Sequence, residues 1–287
     1  MKKTILLLII LTLNTHLAAM EENALITYRR ATQEDVGSLL YLINTHAIHD
    51  NDKIVVVPEK FRQSALEEDI QKKKIYIAQK NDTNEIIALK KLYRIDTEEE
   101  YKDITRNEIR CKGKAKSCVG VYDIGLYKHE NPPLVSFRMN QMFAPQYKFS
   151  NSCPLYFGGD FTTPSERGKK INSQLTHKAF ELIKDDVIQA IKAKNDNLTS
   201  LVLLYGLTKT NAGENNGINR TPSIVKTFIP FAREVQKKCN LGGKNSVTHA
   251  RYHSCMPTFD PNSEEYKPLP EEQCVLGYGN VLHFELM

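Results

Sequence analysis

Apolar positions along this chain follow two periods in turn, and the changes of period mark out the elements. Residues 25–29, Leu-Ile-Thr-Tyr-Arg, alternate and predict a first strand. Thr32, followed three residues later by Asp35, is a variant of the capping box and marks a helix start. Val36, Leu39, Leu40 and Ile43 then fall at helical spacing and supply the buried face. A second helix is predicted over 58–73, with Phe61, Leu66 and Ile70 inward and Glu67, Glu68, Asp69, Lys72 and Lys73 outward. A hairpin follows, with strands at 75–79 and 86–95 joined by the turn residues Asn81, Asp82, Thr83 and Asn84.

A polar stretch reaches to about 117, after which 119–127 and 134–143 read as strands separated by Pro132 and Pro133. Residues 154–163 form the next candidate strand, and Gly158 with Gly159 fits a bulge. Beyond a basic turn, Ile171, Leu175, Ala179, Leu182 and Ile183 give a long helix one apolar stripe to lay on a sheet. The continuous apolar run 200–208 predicts a central strand. The polar run 209–220 is a loop, and Thr221 and Pro222 open a helix buried through Ile224, Val225 and Phe228, which Pro230 is expected to kink or end. Strands at 246–256 and 274–286, joined by the acidic, proline-containing segment 260–272, complete the chain, and no internal repeat is visible.

Composition narrows the class. The chain has 287 residues, 41% of them hydrophobic, enough for one sizeable core. Its net charge of +5 is scattered and is not interleaved with aromatics, which argues against nucleic acid as a partner. Lys2 and Lys3, the apolar run 5–13 and Leu17-Ala18-Ala19 have the form of a secretory signal peptide over residues 1–19. Export to a periplasmic or extracellular location is expected, with no membrane association after cleavage and a charge of +3 once those two lysines are removed. Six cysteines, at 111, 118, 153, 239, 255 and 274, are then free to oxidise. Cys111 and Cys118 flank a short turn-compatible loop and form the expected disulfide, and the other four allow three connectivities. Cys239, His249, His253 and Cys255 carry zinc-type chemistry, but their spacing matches no common module, so surface histidines beside a disulfide are the simpler reading and no metal is expected. Asn197-Leu198-Thr199 fits a glycosylation acceptor.

The chemistry points to residues 158–186. Arg167, Gly168, Lys169 and Lys170 place three cations and a glycine just before a helix, where free amides and the helix dipole favour an anion such as a phosphate. Here the sequence resembles the GNAT (GCN5-related) N-acetyltransferases, whose signature R/Q-x-x-G-x-G/A binds the pyrophosphate of acetyl-CoA. Arg167 takes the first position, while Lys170 and Asn172 stand where the two glycines belong. The opening Arg29-x-Ala31-x-x-x-Asp35 also resembles the start of that domain, and strand, helix, helix and two antiparallel strands is the order the family uses.

The resemblance implies a GNAT-like α/β fold over 24–287, a mixed central sheet flanked by helices, with an insertion at about 96–153 between the third and fourth strands. It implies acetyl-CoA as co-substrate and an acyl-CoA site at Phe161, Thr162, Thr163, Arg167, Gly168, Lys169, Lys170 and Asn172. The pantetheine arm would pass between the splayed strands at 154–163 and 200–208. Acyl transfer to an amine needs a base, for which Asp160 is placed, with Glu166 and His177 as second choices. The tyrosine that usually protonates the thiolate is replaced by Phe228, leaving Tyr205 as the substitute if it faces the cleft. Two functions follow: an N-acyltransferase whose acceptor amine is open, or an exported, disulfide-stabilised binding protein that keeps the fold and has lost catalysis.

Overall fold

The computed structural model describes residues 25–47, 59–101, 117–123, 136–140, 149–194, 198, 200–208, 223–242, 246–256 and 275–286. The leader at 1–19, Cys111, Cys274, Thr221, Pro222, the loop 209–220, the segment 260–272 and the glycosylation positions 197 and 199 lie outside them. In chain order the elements are β1 (Ile26–Arg30), α1 (Val36–Leu42), α2 (Glu59–Gln71), β2 (Ile75–Lys80), β3 (Ile86–Arg94), β4 (Ser117–Asp123), β5 (Ser136–Asn140), β6 (Ser152–Thr162), α3 (Ile171–Ala193), β7 (Ser200–Thr208), α4 (Ser223–Lys238), β8 (Ser246–Met256) and β9 (Val275–Glu285). A π-helical turn, Ile43–Ala47, extends α1.

The strands form one mixed sheet in the order β1-β2-β3-β6-β7-β9-β8-β4-β5. Among the described residues β6 and β7 are the one parallel pair, as a strand, crossover helix and strand require. The fold is the expected α/β architecture, a mixed central sheet with helices on both faces. The residues between β3 and β6 do not widen the sheet where they leave it. β3 pairs directly with β6, and β4 and β5 attach at the far edge, β4 on β8.

One sheet face is covered by α3 and α4. Leu155, Phe157, Leu201, Leu203, Tyr205, Leu282 and Phe284 from the strands meet Leu175, Ala179, Phe180, Ile183, Phe228 and Phe231 from the helices. Each large apolar side chain removed from water here contributes about 1.5–3 kcal/mol. Leu182 is 36% exposed and falls on the flank of the stripe; Phe180 takes the central place, between Phe228 and Phe231. The opposite face carries Leu39, Leu42, Leu66 and Ile70 of α1 and α2 on Ile75, Ile77, Ile86 and Leu89. A third cluster joins Tyr93, Ile95 and Tyr101 to Val202 and Leu204.

Pro230 does not end α4, which runs on to Lys238. Pro230 is exposed, while Phe228, Ile229, Phe231, Ala232 and Val235 are buried. Burial of five apolar side chains outweighs the roughly 3 kcal/mol cost of an internal proline. Among the described residues no helix is long and apolar enough to cross a membrane, no metal-binding cluster forms, and Cys153 and Cys239 are free thiols.

Candidate acyl-CoA site

The site begins where the parallel ladder stops. β6 and β7 pair from Ser152–Ser200 to Phe157–Tyr205. Beyond that rung each strand continues with a different neighbour. Gly158, Phe161 and Thr162 of β6 stay with Lys91, Leu89 and Ala88 of β3, while Gly206, Leu207 and Thr208 of β7 stay with Gly279, Tyr278 and Gly277 of β9. The two facing edges thus part at Phe157 and Tyr205. Backbone groups that would have completed a ladder there become available to a ligand.

β6 is also bulged at this level. Leu89 pairs with Phe161 and Lys91 with Gly158, so one more residue is spent on β6 than on β3, and Lys90 stands opposite Gly159 and Asp160. The bulge expected from the two glycines is present. A Cβ on Gly158 would lie 2.8 Å from the Tyr156 hydroxyl and ring edge, so the glycine leaves room for that ring. Asp160, the candidate base, has its backbone in this bulge.

At its end β6 enters the turn to α3. Thr163 donates its amide to the Ile87 carbonyl at 2.9 Å and is 2% exposed. The hydroxyls of Thr162 and Thr163 are buried and have no hydrogen-bond partner among the described residues. A buried hydroxyl without a partner costs about 1–3 kcal/mol, which a ligand could recover. A helical turn, Pro164–Glu166, then leads through Arg167 to Gly168 at φ +85° and Lys170 at φ +63°. Lys170 is the N-cap of α3 and makes no side-chain capping bond.

Arg167 and Lys170 are exposed, and the Arg167 Nε donates to the Thr162 carbonyl at 3.2 Å. The Lys170 side chain is therefore in contact with solvent. Phe161 packs against the α1–α2 cluster and lies 5.9 Å beneath the Arg167 guanidinium. Left-handed geometry, an uncapped helix start, two orphaned hydroxyls and surface cations together fit an anionic ligand such as a diphosphate.

Two backbone tests follow. A Cβ on Gly168 would meet nothing within 4 Å, so the cost of Gly168→Ala is conformational alone. It is expected to be about 1–2 kcal/mol, read as a thermal midpoint lower by roughly 2–6 °C. Lys170→Gly is expected to raise the midpoint by about 2 °C, since relief of left-handed strain exceeds the entropic cost of glycine. Differential scanning calorimetry of both variants measures the two shifts.

The remaining candidates divide. Lys169 does not point free into the turn; it pairs with Glu166 at 2.9 Å. Glu166 is 6% exposed and also receives Lys80 at 2.9 Å. The hydrogen bond from Lys169, then that from Lys80, outweighs burial and holds its carboxyl below the ordinary range, so Glu166 anchors the turn to β2. His177 is exposed on the solvent face, 3.2 Å from Glu181. Tyr205 occupies the last shared rung and is 1% exposed within the cluster beneath α3 and α4. Phe228 is fully buried in the same cluster. Burial pushes the Cys153 thiol up to about 12, so it is no nucleophile at neutral pH. His249, His253 and Cys255 lie on β8.

Sequence reasoning passed over Lys90. It is 1% exposed on β3, and its ammonium reaches Asn172 Oδ1 at 2.6 Å. The signal that could have found it is a lysine pair, Lys90 and Lys91, inside the otherwise apolar run 86–92.

No protein-family model and no curated protein matches the chain. Among solved structures it is similar to a GCN5-related N-acetyltransferase from Kribbella flavida, with a TM-score of 0.33 and 9% identity over 67% of this chain; the chain spans 32% of that protein. It is also similar to an N-acetyltransferase from Staphylococcus aureus Mu50, with a TM-score of 0.35 and 13% identity over 91% of this chain and 99% of that one. A polyamine N-acetyltransferase from Drosophila melanogaster gives a TM-score of 0.40 and 11% identity over 90% of this chain and 100% of that one.

Proposed function

We propose that this protein binds an acyl-CoA, with the diphosphate at the turn 167–172 and the pantetheine arm between β6 and β7, and transfers the acyl group to an amine. The observation that carries this reading is the parting of the β6–β7 ladder beyond Phe157 and Tyr205, beside an uncapped helix start. Acetyl-CoA is the expected co-substrate. Asp160, in the bulge, is the proposed base that accepts a proton from the amine. Isothermal titration of the protein lacking residues 1–19 with acetyl-CoA is expected to give a dissociation constant of roughly 1 μM to 1 mM. Absence of heat at millimolar ligand would remove the reading.

A second reading is favoured by Phe228, which has no proton to give and is buried against Phe180 and Phe231. On that reading the protein is exported, stabilised by a disulfide that includes Cys111 and Cys118, and binds CoA without turnover. Binding with no product across a panel of amines supports it; product with any amine excludes it. Cys153 and Cys239 are expected to titrate as free thiols in either case.

A further inference from the structure

Lys90 is a buried lysine on the strand that borders the candidate site. Ile86, Ile87, Ala88, Leu89 and Leu92 around it on β3 are all buried. Its ammonium is held by Asn172 Oδ1 at 2.6 Å, by Thr176 Oγ1 at 2.5 Å, and over the Phe157 ring at 4.5 Å from the centroid. Thr176 in turn donates its hydroxyl to the Asn172 carbonyl at 2.8 Å. The same lysine faces the β6 bulge at Gly159 and Asp160 across the β3–β6 ladder. One side chain thus touches the first two turns of α3 and the last ring before β6 leaves β7.

A buried ammonium is tolerated only where acceptors surround it, and Asn172 and Thr176 are two such acceptors. Position 172 is also where the resemblance calls for a glycine. A glycine there would free no space in the turn, because the Asn172 amide group is directed to Lys90, and it would remove one of the ammonium's acceptors.

We propose that Lys90 is a positioning residue of the diphosphate turn, and that Asn172 stands in place of glycine because it is the acceptor that couples Lys90 to the start of α3. The coupling fixes the helix start relative to the bulge. This inference rests on the acyl-CoA reading above, and its test is arranged so that the two can fail separately.

Asn172→Gly restores the second of the two signature glycines, yet it is expected to weaken coenzyme A binding about tenfold, roughly the effect of losing one buried hydrogen bond. Equal or tighter binding by Asn172→Gly would overturn the proposal. Lys90→Met keeps the length of the side chain and removes the charge; it is expected to weaken coenzyme A binding tenfold or more while the ligand-free midpoint stays within about 4 °C of wild type. A loss of affinity accompanied by a collapse of the midpoint would mean a structural role only and would count against positioning. In the Lys90→Met background, Asn172→Gly is expected to have no further effect on affinity, since the coupling is already gone. If the unaltered protein binds no coenzyme A, the acyl-CoA reading falls by itself. The same cycle read as ligand-free midpoints then decides the coupling: shifts that fall short of additive by about 3 °C or more support it, and additive shifts end it.

Discussion

Replacing Asp35 by alanine is expected to lower the thermal midpoint by about 6–10 °C, the largest stability effect of any single polar side chain described above. Asp35 is 7% exposed and accepts four hydrogen bonds: from the Arg29 guanidinium at 2.7 and 2.8 Å, from the Thr32 amide at 2.7 Å and from the Thr32 hydroxyl at 3.0 Å. It therefore ties β1 to the start of α1 and closes the capping box in one residue. Its removal leaves the Arg29 guanidinium on the Gln79 amide oxygen at 2.8 Å and the Arg30 carbonyl at 3.1 Å. Loss of a charge-assisted bidentate pair and a cap at a partly buried site costs about 2–3 kcal/mol, and about 2–4 °C accompanies each kcal/mol in a domain of this size.

The pair Lys72–Glu68 is half exposed on both sides, so Lys72→Ala is the control and should shift the midpoint by less than about 2 °C. Burial alone would raise the Asp35 carboxyl, but the bonds from Arg29 and Thr32 outweigh it and hold the group below its ordinary value of 3.8. A depressed carboxylate contributes stability that is present above the unfolded value and lost as pH falls through the folded one. The gap between wild type and Asp35→Ala should therefore be widest near neutral pH and close below about pH 4. Circular dichroism melts across that range read both effects. A gap that persists unchanged at low pH would mean that the carboxylate charge is not what stabilises the junction.

That junction was also among the most legible parts of the sequence, because its partners are six residues apart and the chemistry of a helix start is local. The strand at 200–208 was legible to the residue for a similar reason: an apolar run bounded by polar segments leaves little freedom in where pairing begins. Pairing between distant strands carries no such mark. Nothing in residues 117–123 tells that they join β8, more than a hundred positions away, instead of staying beside β3. Leu182 shows the limit of periodicity in a long helix, since the stripe was read from its first three turns and the later residues Val187, Ile188 and Ile191 recentre it. Pro230 shows the limit of local rules, which price the proline but not the aromatic cluster that Phe228 and Phe231 build with Phe180. The candidate site was legible as a run of cations and glycine after a strand. Its internal wiring was not. Lys169 turning to Glu166, and Asn172 to Lys90, are contacts made by the fold, and a motif that counts positions sees only two misplaced side chains.

Converting Arg167 and Lys170 together to glutamate is expected to weaken coenzyme A binding at least about 100-fold while the ligand-free midpoint stays within about 3 °C of wild type. Both side chains are exposed on either side of Gly168, next to amides that open α3 without a side-chain cap. A diphosphate seated there would meet two cations in the wild type and two carboxylates in the variant. Each reversal of a charge-assisted contact costs about 1.5 kcal/mol or more, and 1.4 kcal/mol is tenfold in affinity, so two reversals multiply to the stated loss. Stability should change little because neither residue belongs to the buried set, although the variant gives up the bond from Arg167 Nε to the Thr162 carbonyl and the guanidinium contact with the Phe161 ring. Lys178 serves as the control, since it lies on the same helix but is paired with Glu181 at 2.9 Å, and Lys178→Glu should alter affinity less than about threefold. Wild-type affinity should also fall between 50 and 500 mM salt, roughly the range over which screening removes surface attraction, and the variant should lose that dependence. Titration calorimetry at two salt concentrations separates the cases. If the double variant bound coenzyme A as tightly as wild type, the anion would have to sit elsewhere, and the parting of β6 from β7 would need another occupant.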